Sequence, residues 1–281
     1  MSIQGEFFIL QLYFFESIEK NTTMTKRLVT ILSIIIASHF AVAAKKSHHK
    51  SSHRTYSKSH KTHHAKDLRP ELTIEDVKDT EQLWGIDISH YQTSIDWPRM
   101  QNEKPHFMFI KASEGADLRD NKYNSYYTEA KKLGIPVGSY HFFSYKSSGK
   151  EQAKNFLAVA LHSTGDLIPV LDAEYTRSIP SDKEKVTAEL TDFVNAVYEK
   201  LGYYPIIYCN SKYFQAYLTE PIQKKCKLWI VEYRNQPDGD WTLWQKTNKF
   251  KLASIKGHVD LNFFKGNNAN LQELLYKSKN G

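Results

Sequence analysis

Leu167-Ile168-Pro169-Val170-Leu171-Asp172-Ala173-Glu174 is an apolar run entered through a proline and closed by two carboxylates with one small residue between them. Its composition predicts a buried strand. Side chains alternate faces along a strand, so Asp172 and Glu174 point the same way, with Cα atoms about 6.5–7 Å apart at roughly 3.3 Å of rise per residue. Two acids on one face of a buried strand end repel each other and resist desolvation. Both effects raise a carboxyl pKa towards the range a general acid needs at neutral pH. Acids are also common where a strand end simply meets solvent, so the pair acquires meaning from its surroundings.

Upstream, strands and helices alternate. Leu83–Ser89 predicts a first strand ending in an acid, Asp87, followed by a brief helix around Trp97 capped by Ser94. His106–Ser113 predicts a second strand running into Glu114-Gly115, with an amphipathic helix over 121–133 stopped by Gly134. A third strand over 135–144 and a helix over 148–162 lead to the acid-bearing strand. Downstream, Ser181 opens a long helix on which Val186, Leu190, Phe193, Val194, Val197 and Leu201 recur at helical spacing, and Gly202 ends it. Tyr204–Cys209 predicts a fifth strand, with a short helix over 211–219. Helices then stop, and the last strands are read at 228–233, 241–245 and 258–262.

Eight strands, the first five followed by helical crossovers, predict an α/β fold: a modified TIM-like barrel of five β/α units followed by three strands. Catalytic groups in such barrels gather at the C-terminal strand ends, where Asp87, Asp172, Glu174 and Asp260 are all expected. Closure sets strand eight beside strand one and makes neighbours of Asp87 and Asp260. Four carboxylates around one mouth point to acid chemistry.

The formal charge of +7 is unevenly placed. Residues 1–44 carry three acids and three bases, and residues 45–66 carry seven bases and no acid, so 67–281 balances to zero. The basic character belongs to a tail, and nucleic acid is not an expected partner. Met24, the positive Thr25-Lys26-Arg27, the apolar run from Leu28 to Val42 and the small-x-small Ala41-Val42-Ala43 predict a signal peptide over 24–44, with 1–23 an over-extended start. An uncleaved membrane anchor is the alternative, and a secreted or cell-envelope protein is expected in either case. Residues 45–66, with His48, His49, His53, His60, His63 and His64, are too polar to form a core and predict a disordered linker. Their irregular histidine spacing does not make a metal site, and no cofactor is expected. The positive charge favours weak association with anionic envelope surfaces. Cys209 and Cys226 are read at opposite ends of adjacent strands, roughly 15–20 Å apart, too far for the Cα separation of about 7 Å that a disulfide tolerates, so two free thiols are expected.

The motifs of the 67–281 domain also carry a resemblance. Gly85-Ile86-Asp87-Ile88-Ser89-His90-Tyr91-Gln92 with Ile95-Asp96-Trp97, Phe109–Gly115, Gly138–Phe142, Asp172-x-Glu174, Trp244-Gln245 and Val259-Asp260-x-Asn262 are similar, in that order, to the motifs of glycoside hydrolase family 25 lysozymes. The similarity spans about 83–265. It implies a muramidase that cuts the β-1,4 bond between N-acetylmuramic acid and N-acetylglucosamine in peptidoglycan glycan strands; a monomer is expected. It implies Glu174 as general acid and Asp172 as partner carboxylate, either orienting the substrate's 2-acetamido group or positioning water. Asp87 and Asp260 would line the floor. Tyr140, Tyr208, Tyr233 and Trp244 are further expected substrate contacts, because sugar rings stack on aromatic faces, and Glu114 is expected as another from its place in the loop at the mouth. Glu232 departs from the family pattern and is expected to point away from the mouth. Val170 stands where related chitinases carry a further acid. Two other readings are a barrel that binds wall glycan without cutting it, and a metal-scavenging protein acting through the histidine tract.

Overall fold

Strand periodicity positions everything else. The computed structural model describes residues 69–277. The expected start and signal segment (1–44) and the histidine-rich 45–66 tract lie outside the described residues. In chain order the strands are β1 (Leu72–Thr73), β2 (Trp84–Ile88), β3 (Phe107–Glu114), β4 (Leu118–Arg119), β5 (Val137–Phe142), β6 (Val170–Asp172), β7 (Ile206–Asn210), β8 (Leu228–Val231), β9 (Leu243–Lys251) and β10 (Val259–Phe264). The helices are α1 (Trp97–Met100), α2 (Tyr123–Lys132), α3 (Gly149–Val159), α4 (Lys183–Leu201), α5 (Ser211–Tyr217), α6 (Glu220–Lys225) and α7 (Asn268–Gln272).

Pairing in the order β2-β3-β5-β6-β7-β8-β9-β10, with β10 returning to β2, closes an eight-stranded mixed barrel. Strands β2 to β9 of that wall run parallel, and β10 is antiparallel to both of its neighbours. Helices occupy the connections from β2 through to β8, and loops alone join β8, β9 and β10.

Alternation sorts the side chains. Phe107, Phe109, Val170, Ile206, Trp229, Leu243 and Phe264 pack together inside the barrel, whereas Ile86, Met108, Ile110, Leu171, Ile207 and Ile230 face the helices. Burying each large apolar side chain contributes about 1.5–3 kcal/mol, so the closed lower half is the stable part of the molecule. The Phe109 ring lies where any side chain at Gly138 would go: a Cβ there would meet Phe109 Cε1 at 2.3 Å.

Several local expectations are corrected. Asp96, not Ser94, caps α1, and Asp182, not Ser181, caps α4, each carboxylate accepting a backbone N–H three residues on. In both places two good capping residues lie close together and the acid takes the position, as the positive end of a helix favours. Gly202 ends α4 with a φ of 77°, as a left-handed cap requires. Helices α6 and α7 lie where only loops are expected; each is six residues or fewer, too short for a visible period.

Candidate active site

The upper half of the barrel is polar. One cleft is lined by Asp87, Lys111, Glu114, Tyr140, Asp172, Glu174, Tyr208, Tyr233, Gln245 and Asp260. Asp172 ends β6, and the parallel ladder continues one residue further through Ala173 N–H, which donates to Tyr208 O at 2.9 Å. That continuation carries the strand's alternation to Glu174, so both acids line the same cleft. The Tyr145 hydroxyl then donates to Glu174 O at 2.6 Å and pins the departing loop.

Asp87 and Asp260 are paired positions across the seam. Asp260 was expected at the C-terminal end of its strand; it is the second residue of β10 instead. It reaches the same mouth because β10 runs the other way. β9 overruns the mouth before the chain turns back, and register shifts between β9 and β10 set Asn262 opposite Gln245.

A hydrogen-bonded chain underlies the acids. Trp229 Nε1 donates to Asn262 Oδ1 at 2.9 Å, and Asn262 Nδ2 donates to Asp87 Oδ2 at 2.8 Å. Gln245 Nε2 donates to the same Asp87 oxygen at 3.3 Å, while its Oε1 accepts from the Tyr208 hydroxyl at 2.9 Å and the Tyr233 hydroxyl at 3.1 Å. At the rim, Lys111 Nζ pairs with Glu114 Oε2 at 2.7 Å.

Burial dominates the electrostatics. It pushes Asp87 up to about 6, against the opposing hydrogen bonds from Asn262 and Gln245. Asp172 is held well above the ordinary aspartate range, first by burial and then by the charges of Glu174 and Asp87. Asp260 is likewise raised, first by burial and then by the charges of Asp87 and Glu174. Burial raises Glu174, opposed by its contact with the Tyr208 hydroxyl and by Lys111. The acids therefore titrate as a set that keeps protons where isolated carboxylates have lost theirs. Asp172 Oδ1 is buried and makes no hydrogen bond. Among the described residues, no group of His, Cys, Asp and Glu is arranged to hold a metal ion.

A barrel mouth of this kind has relatives. Residues 86–255 match the family model described as glycosyl hydrolases family 25. The chain belongs to glycosyl hydrolases family 25. It is 29% identical to the protein named lysozyme M1 of Streptomyces globisporus, over 70% of this chain and 72% of that one. A family 25 glycosyl hydrolase from Bacillus anthracis superposes with a TM-score of 0.63 at 31% identity, covering 69% of this chain and 94% of the other. The bacterial lysozyme from Streptomyces coelicolor gives a TM-score of 0.66 at 28% identity, covering 70% and 99%.

Within this family 25 barrel, Glu174, Asp172, Asp87, Asp260, Glu114, Tyr140, Tyr208 and Tyr233 all line the cleft. Trp244 does not. Its ring packs against Trp241 and Phe263 on the outer face, and its Nε1 donates to Glu232 O at 2.7 Å. Alternation along β9 turns Gln245, not Trp244, into the barrel. The Glu232 carboxylate accepts from Arg234 N–H at 2.9 Å and lies outside the cleft. Four further participants lie outside the expected contact set. Trp229 lines the cleft floor as well as packing, Lys111 pairs at the rim, and Gln245 and Asn262 bind Asp87. The available signal was parity: on each strand these residues lie an even number of positions from another inward-facing one.

Proposed function

We propose that this family 25 enzyme is a muramidase. It hydrolyses the β-1,4 bond between N-acetylmuramic acid and N-acetylglucosamine in peptidoglycan, with Glu174 as general acid and Asp172 as partner carboxylate. The observation that carries this reading is the pairing of two unlike carboxyls in one cleft. Glu174 is held towards its protonated form, and Asp172 presents a buried oxygen with no hydrogen-bond partner. A buried acceptor without a donor is costly, by about 1–3 kcal/mol, and a substrate N–H relieves that cost.

In the reaction, Glu174 passes its proton to the glycosidic oxygen as the bond to the anomeric carbon breaks. Positive charge grows at that carbon. Asp172, ionised once pH exceeds its raised pKa, accepts the N–H of the 2-acetamido group and aligns the acetamido oxygen for attack, its negative charge stabilising the cation that forms; water then attacks the anomeric carbon, displacing the acetamido oxygen and returning a proton to Glu174. Asp87 and Asp260 hold the floor, and Tyr140, Tyr208 and Tyr233 give the sugar its walls. Glu114 and Lys111 mark the rim. A substrate of this kind lies outside the cytoplasmic membrane, which agrees with the export expected from residues 24–44.

Mass spectrometry of fragments released from purified peptidoglycan tests the proposal. Fragments with reducing N-acetylmuramic acid ends are expected. Reducing N-acetylglucosamine ends would assign a different bond. Sedimentation with walls and no release of fragments would leave the binding-only barrel.

A further inference from the structure

Tyr140 and Tyr208 stand on strands β5 and β7, but Tyr233 follows the end of β8 and lies in the loop to β9, where no helix covers the chain. Gln245 Oε1 takes the Tyr233 hydroxyl at 3.1 Å, and a bond on the ring's long axis does not set the ring plane. The plane is set from ahead of the barrel. Arg69 places its guanidinium carbon 4.1 Å from the centroid of the Tyr233 ring, a cation–π contact. Arg69 Nη2 also donates to Asn248 Oδ1 at 3.0 Å, and Asn248 lines the same cleft as Tyr233. An amide whose oxygen accepts from the guanidinium keeps its N–H2 as a donor at the rim. The segment that carries Arg69 is itself anchored to the mouth. Leu72 and Thr73 of β1 pair with Phe250 and Lys251 of β9, and Glu71 bonds Lys251 Nζ at 2.7 Å and His258 Nε2 at 2.5 Å.

We infer that Arg69 is a positioning residue for saccharide binding: it braces the Tyr233 ring and turns the Asn248 amide, so that the segment ahead of the barrel completes the cleft. This deepens the muramidase reading and rests on it for the choice of ligand. Arg69 precedes the stretch that matches the family model, residues 86–255, so the brace belongs to a part of the chain that the family likeness does not describe. Arg69 does not itself line the cleft, and its influence passes through the two residues that do. With one face covered by the guanidinium, Tyr233 offers a sugar its opposite face or its edge. A ring held at its hydroxyl and at one face has little freedom left to lose when a ligand arrives, which strengthens binding. The Asn248 N–H2 suits an oxygen acceptor, either a sugar hydroxyl or an acetamido carbonyl.

Arg69→Met keeps an unbranched side chain and removes the charge and the donors. Calorimetry of the full chain with soluble glycan strands from purified peptidoglycan, in a Glu174→Gln background that does not consume them, reads binding without turnover. Affinity is expected to fall about threefold to tenfold with the loss of the contact. With Glu174 intact, KM is expected to rise while kcat stays within about twofold. Tyr233→Leu with Asn248→Ala removes both groups through which Arg69 acts, and adding Arg69→Met to that pair is expected to cost no further affinity. A merely structural role lowers the melting temperature and leaves Kd where it was. If Arg69→Met does not fold, Arg69→Lys, which keeps the cation and loses the planar fork, is expected to weaken binding in the same direction by less. Unchanged affinity in a folded Arg69 variant, or an undiminished further loss in the triple variant, overturns the inference. Release of reducing N-acetylglucosamine ends by the native enzyme would overturn the muramidase reading and leave this comparison intact, whereas failure of the parent protein to bind glycan strands would overturn both.

Discussion

Asp260 sits directly across the β2–β10 seam from Asp87, on the strand that runs opposite to the rest of the barrel wall. Burial and the facing carboxyl of Asp87 both raise the pKa of Asp260, so the pair favours keeping a proton. A parallel eighth strand would carry its early residues to the closed end of the barrel. Reversal of β10 brings the beginning of the strand to the mouth, and the fold obtains a fourth acid there without a further helix.

That pairing has a stability consequence. Asp260 binds its proton more tightly in the fold than in the unfolded chain, because burial and Asp87 raise its pKa. Its contribution is therefore complete below the ordinary aspartate pKa of about 3.9 and is lost as pH rises through the raised folded value. Asp260→Asn keeps an N–H for Asp87 and removes the titration. The variant is expected to melt several degrees above the native protein at pH 8 and to converge with it near pH 4. A gap that does not change with pH would mean that this proton contributes nothing to stability.

Much of this was legible in the sequence, and the failures have separate causes. Period-two alternation is local, so the inward face of β2 and of β6, with Asp87, Asp172 and Glu174, could be read from neighbouring residues alone. Seam adjacency of Asp87 and Asp260 followed from closure. Trp244 alternates with the inward-facing Leu243 and Gln245, so parity alone assigns it to the outer face beside Ile230. Strand direction is invisible locally, which is why Asp260 is expected at the wrong end of its strand. The Trp229–Asn262–Asp87–Gln245 chain joins four strands, and no single stretch of sequence contains it.

Trp244 supplies a direct check on that correction. Trp244→Phe leaves the Glu232 carbonyl without its donor and trims a packed ring, a loss of about 1–3 kcal/mol. The melting temperature is expected to fall by several degrees while kcat/KM on peptidoglycan stays within about twofold. A tenfold rise in KM in the folded variant would return this ring to the substrate groove.

Cys209 and Cys226 are free and buried, and burial pushes each thiol up to about 12. Both are therefore poor nucleophiles in the fold. Thiol titration is expected to give two equivalents under denaturing conditions and almost none within minutes in the native state. One equivalent or none after denaturation would contradict the separation of the two residues.

Glu174 and Asp172 are expected to differ in kind. Glu174→Gln keeps the shape and removes the transferable proton, so hydrolysis of native glycan should fall by about 10³–10⁴-fold with binding largely kept. An activated aryl glycoside needs little protonation to depart, and the variant is expected to regain much of its rate on such a substrate if it is accepted. Because Glu174 acts while protonated and burial raises its pKa, the native rate should fall as pH climbs through that value, and this basic limb should vanish for Glu174→Gln on the aryl substrate. Asp172→Asn should gain nothing from the better leaving group, since an amide cannot supply the negative charge the anomeric centre needs. Its acid limb should vanish instead. Equal losses for both variants on both substrates would refute the division of roles, and full activity of Glu174→Gln on native glycan would refute the proposed chemistry.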